Sequence, residues 1–307
     1  MAQNNQNFLL MDFRRDIKAL FTKGTILRRL IIINIAVFVL VTISGIIGFL
    51  LVNPAVPETT IGILSVPSSF ILLLKRPWTL ITYMFTHKDI LHIAVNLLWL
   101  YWFGKIFLEY FDQKKLTAVY ILGGITGALA YVISYNTFPA FREFAGTSIP
   151  LLGASASVMA VVVAIAVYVP DYTVLLFFFG QIKIKYIALV IFLLTSMADF
   201  SVNSGGKLAH IGGALFGYLY VVSYRQGKDL GKWLNIILDS VVTLLRPRNR
   251  LRVTYKKNTR DDREYNRMKA EHQARINEIL DKISKGGYDS LTREEKDFLF
   301  NESQKKN

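Results

Sequence analysis

The chain contains no cysteine, which removes disulfide scaffolds, thiol catalysis, zinc ribbons and iron–sulfur clusters from consideration. Histidine is nearly as scarce. Any imidazole chemistry must come from His87, His92, His210 or His272. Charge is thin as well: 19% of the 307 residues are charged against 52% hydrophobic, and the mean hydropathy is positive. That balance is too apolar for a disordered chain or an ordinary soluble enzyme. Length alone would suggest two soluble domains, but the composition puts most of the chain in lipid. A net charge of +14 can signal a nucleic-acid binder. Here the Lys and Arg fall in short clusters between apolar stretches and in the last third, the spacing of anchors at a membrane surface, so the lipid bilayer and not a nucleic acid is the expected partner.

Residues 1–28 are basic, with Arg14, Arg15, Lys18, Lys23 and Arg28, and have no apolar core, so they do not read as a cleavable signal peptide. The first apolar run, about Leu30 to Val52, then reads as an uncleaved anchor, spanning ~30 Å of hydrocarbon at ~1.5 Å per residue. Further spans are expected at about 91–111, 116–136, 150–170, 185–200 and 208–224. The expected fold class is therefore all-α, a polytopic bundle of six transmembrane helices with a small helical tail. Residues 172–182 form an apolar run too short to cross as a helix and are expected to lie in the interface. Lys105, Lys114, Lys115, Lys183, Lys185, Arg225, Lys228 and Lys232 all border connections on the side of the basic N-terminus. The positive-inside bias places both termini in the cytoplasm, and the loops at 53–90, 137–149 and 201–207 outside. The chain divides into an N-terminal segment (1–28), a transmembrane domain (29–224) and a tail (225–307).

In the tail, Trp233, Ile236, Ile237, Val241 and Leu244 have near-helical spacing, which suits a helix lying in the interface or a short soluble one. The basic run Arg246–Arg252 would attract anionic headgroups. A charged helix to about Ser284, a turn at Gly286 and Gly287 and a capping box at Thr292-x-x-Glu295 predict a helical hairpin. His272, among charges, reads as a solvated surface residue.

Polar groups inside a span are expensive, so each asks for a reason. His92 and Asn96 open the second span on one helical face. The fourth opens with Gly153-Ala154-Ser155-Ala156-Ser157, and the sixth with Ala209-His210, followed by Gly213 and Gly217. All three spans start on the same side, so these groups share a depth about one helical turn into the membrane. Taken singly they are ambiguous: a lone serine often returns its hydroxyl to the i−4 carbonyl, and small residues serve close helix packing. Together, Ser155 at a helix N-terminus and His210 at equal depth have the parts of a nucleophile and its general base. The Ser155 amide is among the unpaired donors of its helix, and His92 and Asn96 add side-chain donors for an oxyanion. No Asp or Glu lies within the fourth or sixth span, so the base would work in a dyad.

In this order the residues resemble the rhomboid family of intramembrane serine proteases over about residues 29–224. The matching set is Trp78 nine positions before His87, His92 and Asn96 at further spacings of five and four, Gly153-Ala154-Ser155, and Ala209-His210-x-x-Gly213-x-x-x-Gly217. The resemblance implies that Ser155 attacks the scissile carbonyl, that His210 moves the proton, and that His92, Asn96 and the Ser155 amide bind the oxyanion. Trp78, His87, Gly153, Ala156, Gly213 and Gly217 would support the site. The first outer loop, including Phe70 to Trp78, would act as a brace, and the fifth helix as a side gate. Substrates would be single-span membrane proteins that unwind near the outer face, with no metal or organic cofactor, and the natural home would be a bacterial inner membrane. Three residues depart from the pattern. Ala156 replaces the usual Gly, adding a methyl that could crowd the oxyanion site. Thr79 follows Trp78 where Arg is frequent, and Met159 stands where an aromatic ring often packs on the catalytic His. The rival reading is a non-catalytic relative that binds transmembrane clients; such relatives typically lose the Ser or the His, and this chain keeps both.

Overall fold

Long apolar stretches bounded by capping residues dominate the chain, and they form helices. The computed structural model describes residues 24–144, 149–176, 180–198, 203–245 and 259–304. The basic segment before residue 24 and the run Arg246–Arg252 lie outside the described residues. Thr25 caps α1 (Ile26–Leu50) by accepting from the Arg28 amide. There follow α2 (Ala55–Leu64), β1 (Val66–Pro67), α3 (Phe70–Lys75), α4 (Thr79–Thr82), a 3-10 turn over Tyr83–Phe85, and α5 (Ile90–Tyr110). The Asp112 carboxylate caps α6 (Gln113–Thr137) through the Lys115 amide at 2.8 Å. Beyond it lie β2 (Pro150–Leu151), α7 (Ser155–Tyr168), β3 (Thr173–Leu176), β4 (Gly180–Lys183) and α8 (Ile184–Ser196). Asn203, with φ of 52°, occupies the left-handed region that Asn tolerates and caps α9 (Ser204–Arg225). Helix α10 (Lys232–Leu245), α11 (Thr259–Gly286) and α12 (Arg293–Gln304) complete the order.

Among the described residues, three helices, α1, α5 and α6, are long and apolar enough to cross a membrane by length and composition. The all-α expectation needs correcting in two places. Residues 172–182, expected as an interfacial segment, contribute to an antiparallel hairpin in which Thr173 faces Lys183 and Leu176 faces Gly180. The fourth expected span does not begin at 150: Pro150 and Leu151 pair with Pro67 and Val66, and α7 starts only at Ser155. Helix α7 accordingly has 14 residues, and α8 has 13, both short of the ~20 that a straight crossing needs.

The described residues fall into two compact units, divided between 246 and 247. In the first, α6, α7 and α9 pack through small residues. A methyl group on Gly213 would collide with the Ala156 carbonyl, and one on Gly217 with that of Ala160. Both contacts advance by four residues, so α7 and α9 run parallel with their backbones touching. Gly127 and Gly123 meet Ala156 and Ala160 in the reverse order, so α6 runs antiparallel to α7. Helix α10 belongs to this unit: Leu234 packs with Ala118 and Leu122 of α6, and Lys114 pairs with Asp239 at 2.6 Å. Trp233, Ile236 and Ile237 are exposed on its other side. At the same end, Arg225 Nη2 donates to the Val167 and Tyr168 carbonyls, which the end of α7 leaves unpaired.

In the second unit, Gly287 turns with φ of 74° between α11 and α12. The Thr292 amide donates to Glu295 at 2.9 Å and the Glu295 amide to Thr292 Oγ1 at 3.3 Å, the reciprocal pair of a capping box. His272 is half-exposed and lies 3.0 Å from Glu302.

Candidate active site at the start of helices α5, α7 and α9

The segment leading into α7 is pinned from both sides. The Ser68 amide donates to the Ile149 carbonyl at 3.1 Å and the Ile149 amide to Ser68 Oγ at 3.1 Å, alongside the β1–β2 ladder. Tyr131 OH donates to the Ile149 carbonyl at 2.7 Å. The Gly153 amide then donates to the Tyr83 carbonyl at 3.0 Å, and the Ala154 amide to His87 Nε2 at 3.2 Å. Because that nitrogen accepts, the His87 proton resides on Nδ1, facing the Phe85 carbonyl at 3.4 Å. His87 is fully buried, and its ring meets that of His92 edge-on at 5.2 Å. Its place in the fold is a brace for the residue before Ser155.

Gly153 has φ of 119°, a conformation L side chains rarely adopt. A Cβ there would lie 2.9 Å from His92 Cε1, 3.3 Å from His92 Nε2 and 3.7 Å from Ser155 Oγ. His92 and Ser155 therefore border the same small space, which a side chain at 153 would fill. The α7–α9 register sets His210 at the level of Gly153, two residues and about 3 Å of helical rise from Ser155. His210 and His92 lie within electrostatic reach of each other. Ser155, His92 and His210 are each half-buried while Gly153, Ala154, Ala156 and Ala209 are buried, so the three polar groups keep accessible surface where their neighbours have none. A carbonyl can only accept, so His210 Nδ1, 3.1 Å from the Thr195 carbonyl, carries a proton. In the neutral ring Nε2 is then the free base.

Asn96 is buried at the same end of α5 and donates one amide hydrogen to the His92 carbonyl at 2.8 Å, leaving a second donor. Trp78 stands apart: it is half-exposed in the first long loop, and its indole donates to the Ile63 carbonyl at 3.0 Å. The three departures can be followed in the structure. The Ala156 methyl faces Gly127 of α6, 2.6 Å from where a Cβ on that glycine would lie, so it points into the contact between the two helices. The loop also has an arginine brace, two positions before Trp78, where Arg76 Nη1 donates to the Gly62 carbonyl at 2.9 Å. Met159 is buried in the core.

Several supports escaped the sequence reading. Asn34 in α1 donates to Tyr120 OH at 3.2 Å, which donates to the Met84 carbonyl at 3.1 Å, linking two spans to the turn beneath the site. Tyr83 OH donates to the Gly124 carbonyl at 2.5 Å. Buried hydroxyls and amides among apolar residues were the available signal, but their acceptors are main-chain groups with no signature of their own.

The model of the Rhomboid domain family matches residues 74–227, half of the chain, and that of a family of unknown function (DUF6576) matches residues 260–305. A mitochondrial RHOMBOID-like protein 12 of Arabidopsis thaliana is 31% identical over 166 residues, 50% of this chain and 48% of the plant protein. Mitochondrial presenilin-associated rhomboid-like proteins of Danio rerio (protein A) and Homo sapiens are 29% and 27% identical, each match covering 45% of this chain and 35% of the relative. The chain thus spans about half or less of the curated relatives it matches. Their mitochondrial location overturns the expectation of a bacterial inner membrane with cytoplasmic termini, which rested on analogy and on a charge bias that does not tell one kind of membrane from another. The matched segment contains His92, Asn96, Ser155 and His210, and the chain belongs to the rhomboid family.

Proposed function

We propose that the protein is an intramembrane serine endopeptidase acting through a Ser155–His210 dyad. One observation carries the reading: the contact of Gly213 and Gly217 with the Ala156 and Ala160 carbonyls sets the two helices in a register that brings serine and histidine to one level beside His92. Ser155 Oγ bonds to the scissile carbonyl carbon while its proton passes to His210 Nε2. The developing oxyanion is met by the Ser155 amide, which has no partner within its own helix, and by donors from His92 and Asn96. Collapse breaks the C–N bond, and the amine leaves with the proton from His210. Water, deprotonated in turn by His210, then releases the acyl group from Ser155.

Six membrane passages, with α7, α8 and α9 completing those of α1, α5 and α6, are part of this reading, as is a tail outside the membrane domain. Substrates are single-span membrane proteins presented within the bilayer. Their helices must unwind before cleavage, because the peptide bonds of a helix in lipid are shielded by its own hydrogen bonds. Ser155→Ala and His210→Ala are each expected to abolish cleavage of a membrane-embedded reporter while the protein still inserts. Cleavage retained by Ser155→Ala would contradict the dyad and favour a role in binding transmembrane clients.

A further inference from the structure

Neither α7 nor α9 carries a carboxylate to orient His210. What faces its Nδ1 is the Thr195 carbonyl, in the last turn of α8, where carbonyl groups lack partners within the helix. Lys207, one turn before His210 on α9, donates from Nζ to the carbonyl of Ala198, just past the end of α8. The two ties repeat at the same interval, 195 and 198 on one side, 207 and 210 on the other.

Lys207 is costly where it stands. It is 9% exposed, and a buried ammonium loses several kcal/mol of hydration unless its donors are met. It also lies in the first turn of its own helix, the end at which the helix dipole opposes a cation. At the end of α8 the dipole has the opposite sign and carbonyls need donors, so the same charge is favourable there. Along the rest of α8, Ile184, Ala188 and Ile191 pack in the core while Leu189, Val190, Leu193 and Leu194 are exposed. Ser196, between the two tied carbonyls, is fully buried, and its hydroxyl has no hydrogen-bond partner, so this side chain adds no polar hold.

We propose that Lys207 is a positioning residue which, together with the Thr195 carbonyl, latches the end of α8 to the start of α9, so that His210 is oriented for catalysis by this contact. The backbone carbonyl does the work of the third member of a catalytic triad, and the lysine keeps that carbonyl in place. This inference rests on the dyad reading.

The test uses the full chain in membranes. Because the protein has no cysteine, Ser196→Cys supplies a single buried thiol that reports separation of α8 from α9. In that background Lys207→Met is expected to lower kcat by about 10- to 100-fold, the scale of a misplaced catalytic group, with KM nearly unchanged and maleimide labelling at position 196 accelerated. Lys207→Arg, which keeps a charged donor, should restore both kcat and protection. Lys207→Gln is measured beside Lys207→Met, so that poor insertion of one variant leaves the other to decide. Wild-type kcat in the lysine variants, or lost kcat with position 196 still protected, would overturn the latch. Ser155→Ala reports on the dyad separately: it should abolish cleavage and leave position 196 protected, so the two readings fail by different results.

Discussion

The Ala156 methyl and the bare Cα of Gly127 occupy one contact between α7 and α6, so whatever is added on one side must be removed from the other. A Cβ on Gly127 would come within 2.6 Å of the Ala156 methyl and 2.7 Å of the Ala209 carbonyl, the latter a backbone atom that cannot turn aside. Gly127→Ala should therefore destabilise the protein by about 1–3 kcal/mol through overpacking, read as a lower thermal midpoint in detergent. Ala156→Gly should leave cleavage intact, since the methyl is taken up by the contact with α6. Asn96 gives a second test at this scale. One of its amide hydrogens is committed to the His92 carbonyl, which leaves one donor for the proposed oxyanion site. Asn96→Ala is expected to lower kcat by ~10²-fold or less; a loss equal to that of Ser155→Ala would assign it a larger role.

Among the elements, the capping box of α12 is where local sequence and local structure agree most closely. Thr292-x-x-Glu295 can be read directly from the chain, because both partners of the motif are side chains at fixed spacing. The third partner, Lys282 on α11, is a tertiary contact: its Nζ donates to Glu295 Oε1 at 2.5 Å. That bond, followed by the one from the Thr292 amide, holds the Glu295 carboxyl down at about 2, against an ordinary value of 4.5. A carboxylate whose folded pKa is depressed contributes stability that is present above about 4.5 and lost as pH falls toward about 2. Amide exchange at the start of α12 should accelerate across that window, and Glu295→Gln should flatten the dependence. The β3–β4 hairpin is the opposite case. Burial alternates along Thr173–Leu176, but the residues Val174, Leu175 and Leu176 are all apolar, so no period of two is written in hydropathy. An unbroken apolar run beside a membrane does not distinguish strand from interfacial segment.

Over the whole molecule, the mostly helical character was legible because lipid demands apolar runs, and three of the expected spans, α1, α5 and α6, have the length and composition to cross, while α7 and α8 are shorter than expected. Ser155 and His210 are 55 positions apart, yet both stand near the start of helices that run in parallel. Illegible were the contacts whose acceptors are main-chain groups, such as His210 to Thr195, Lys207 to Ala198 and His87 to Ala154. Every residue carries a carbonyl and nearly every one an amide, so sequence cannot say which will be used. The residues assigned to the chemistry all lie in the first compact unit, and the charged helices α11 and α12 in the second. Deleting residues 250–307 should accordingly leave peptide-bond cleavage intact, measured on the membrane-embedded reporter. A truncated protein that inserts and folds but does not cleave would assign the tail a part in catalysis.

The central claim is that Ser155 is an activated nucleophile, and labelling of the full-length protein in membranes by a fluorophosphonate probe tests it most directly. The account predicts covalent labelling of the wild type that is lost in Ser155→Ala and severely slowed in His210→Ala. A wild type that does not react, or labelling that persists without Ser155, would contradict it.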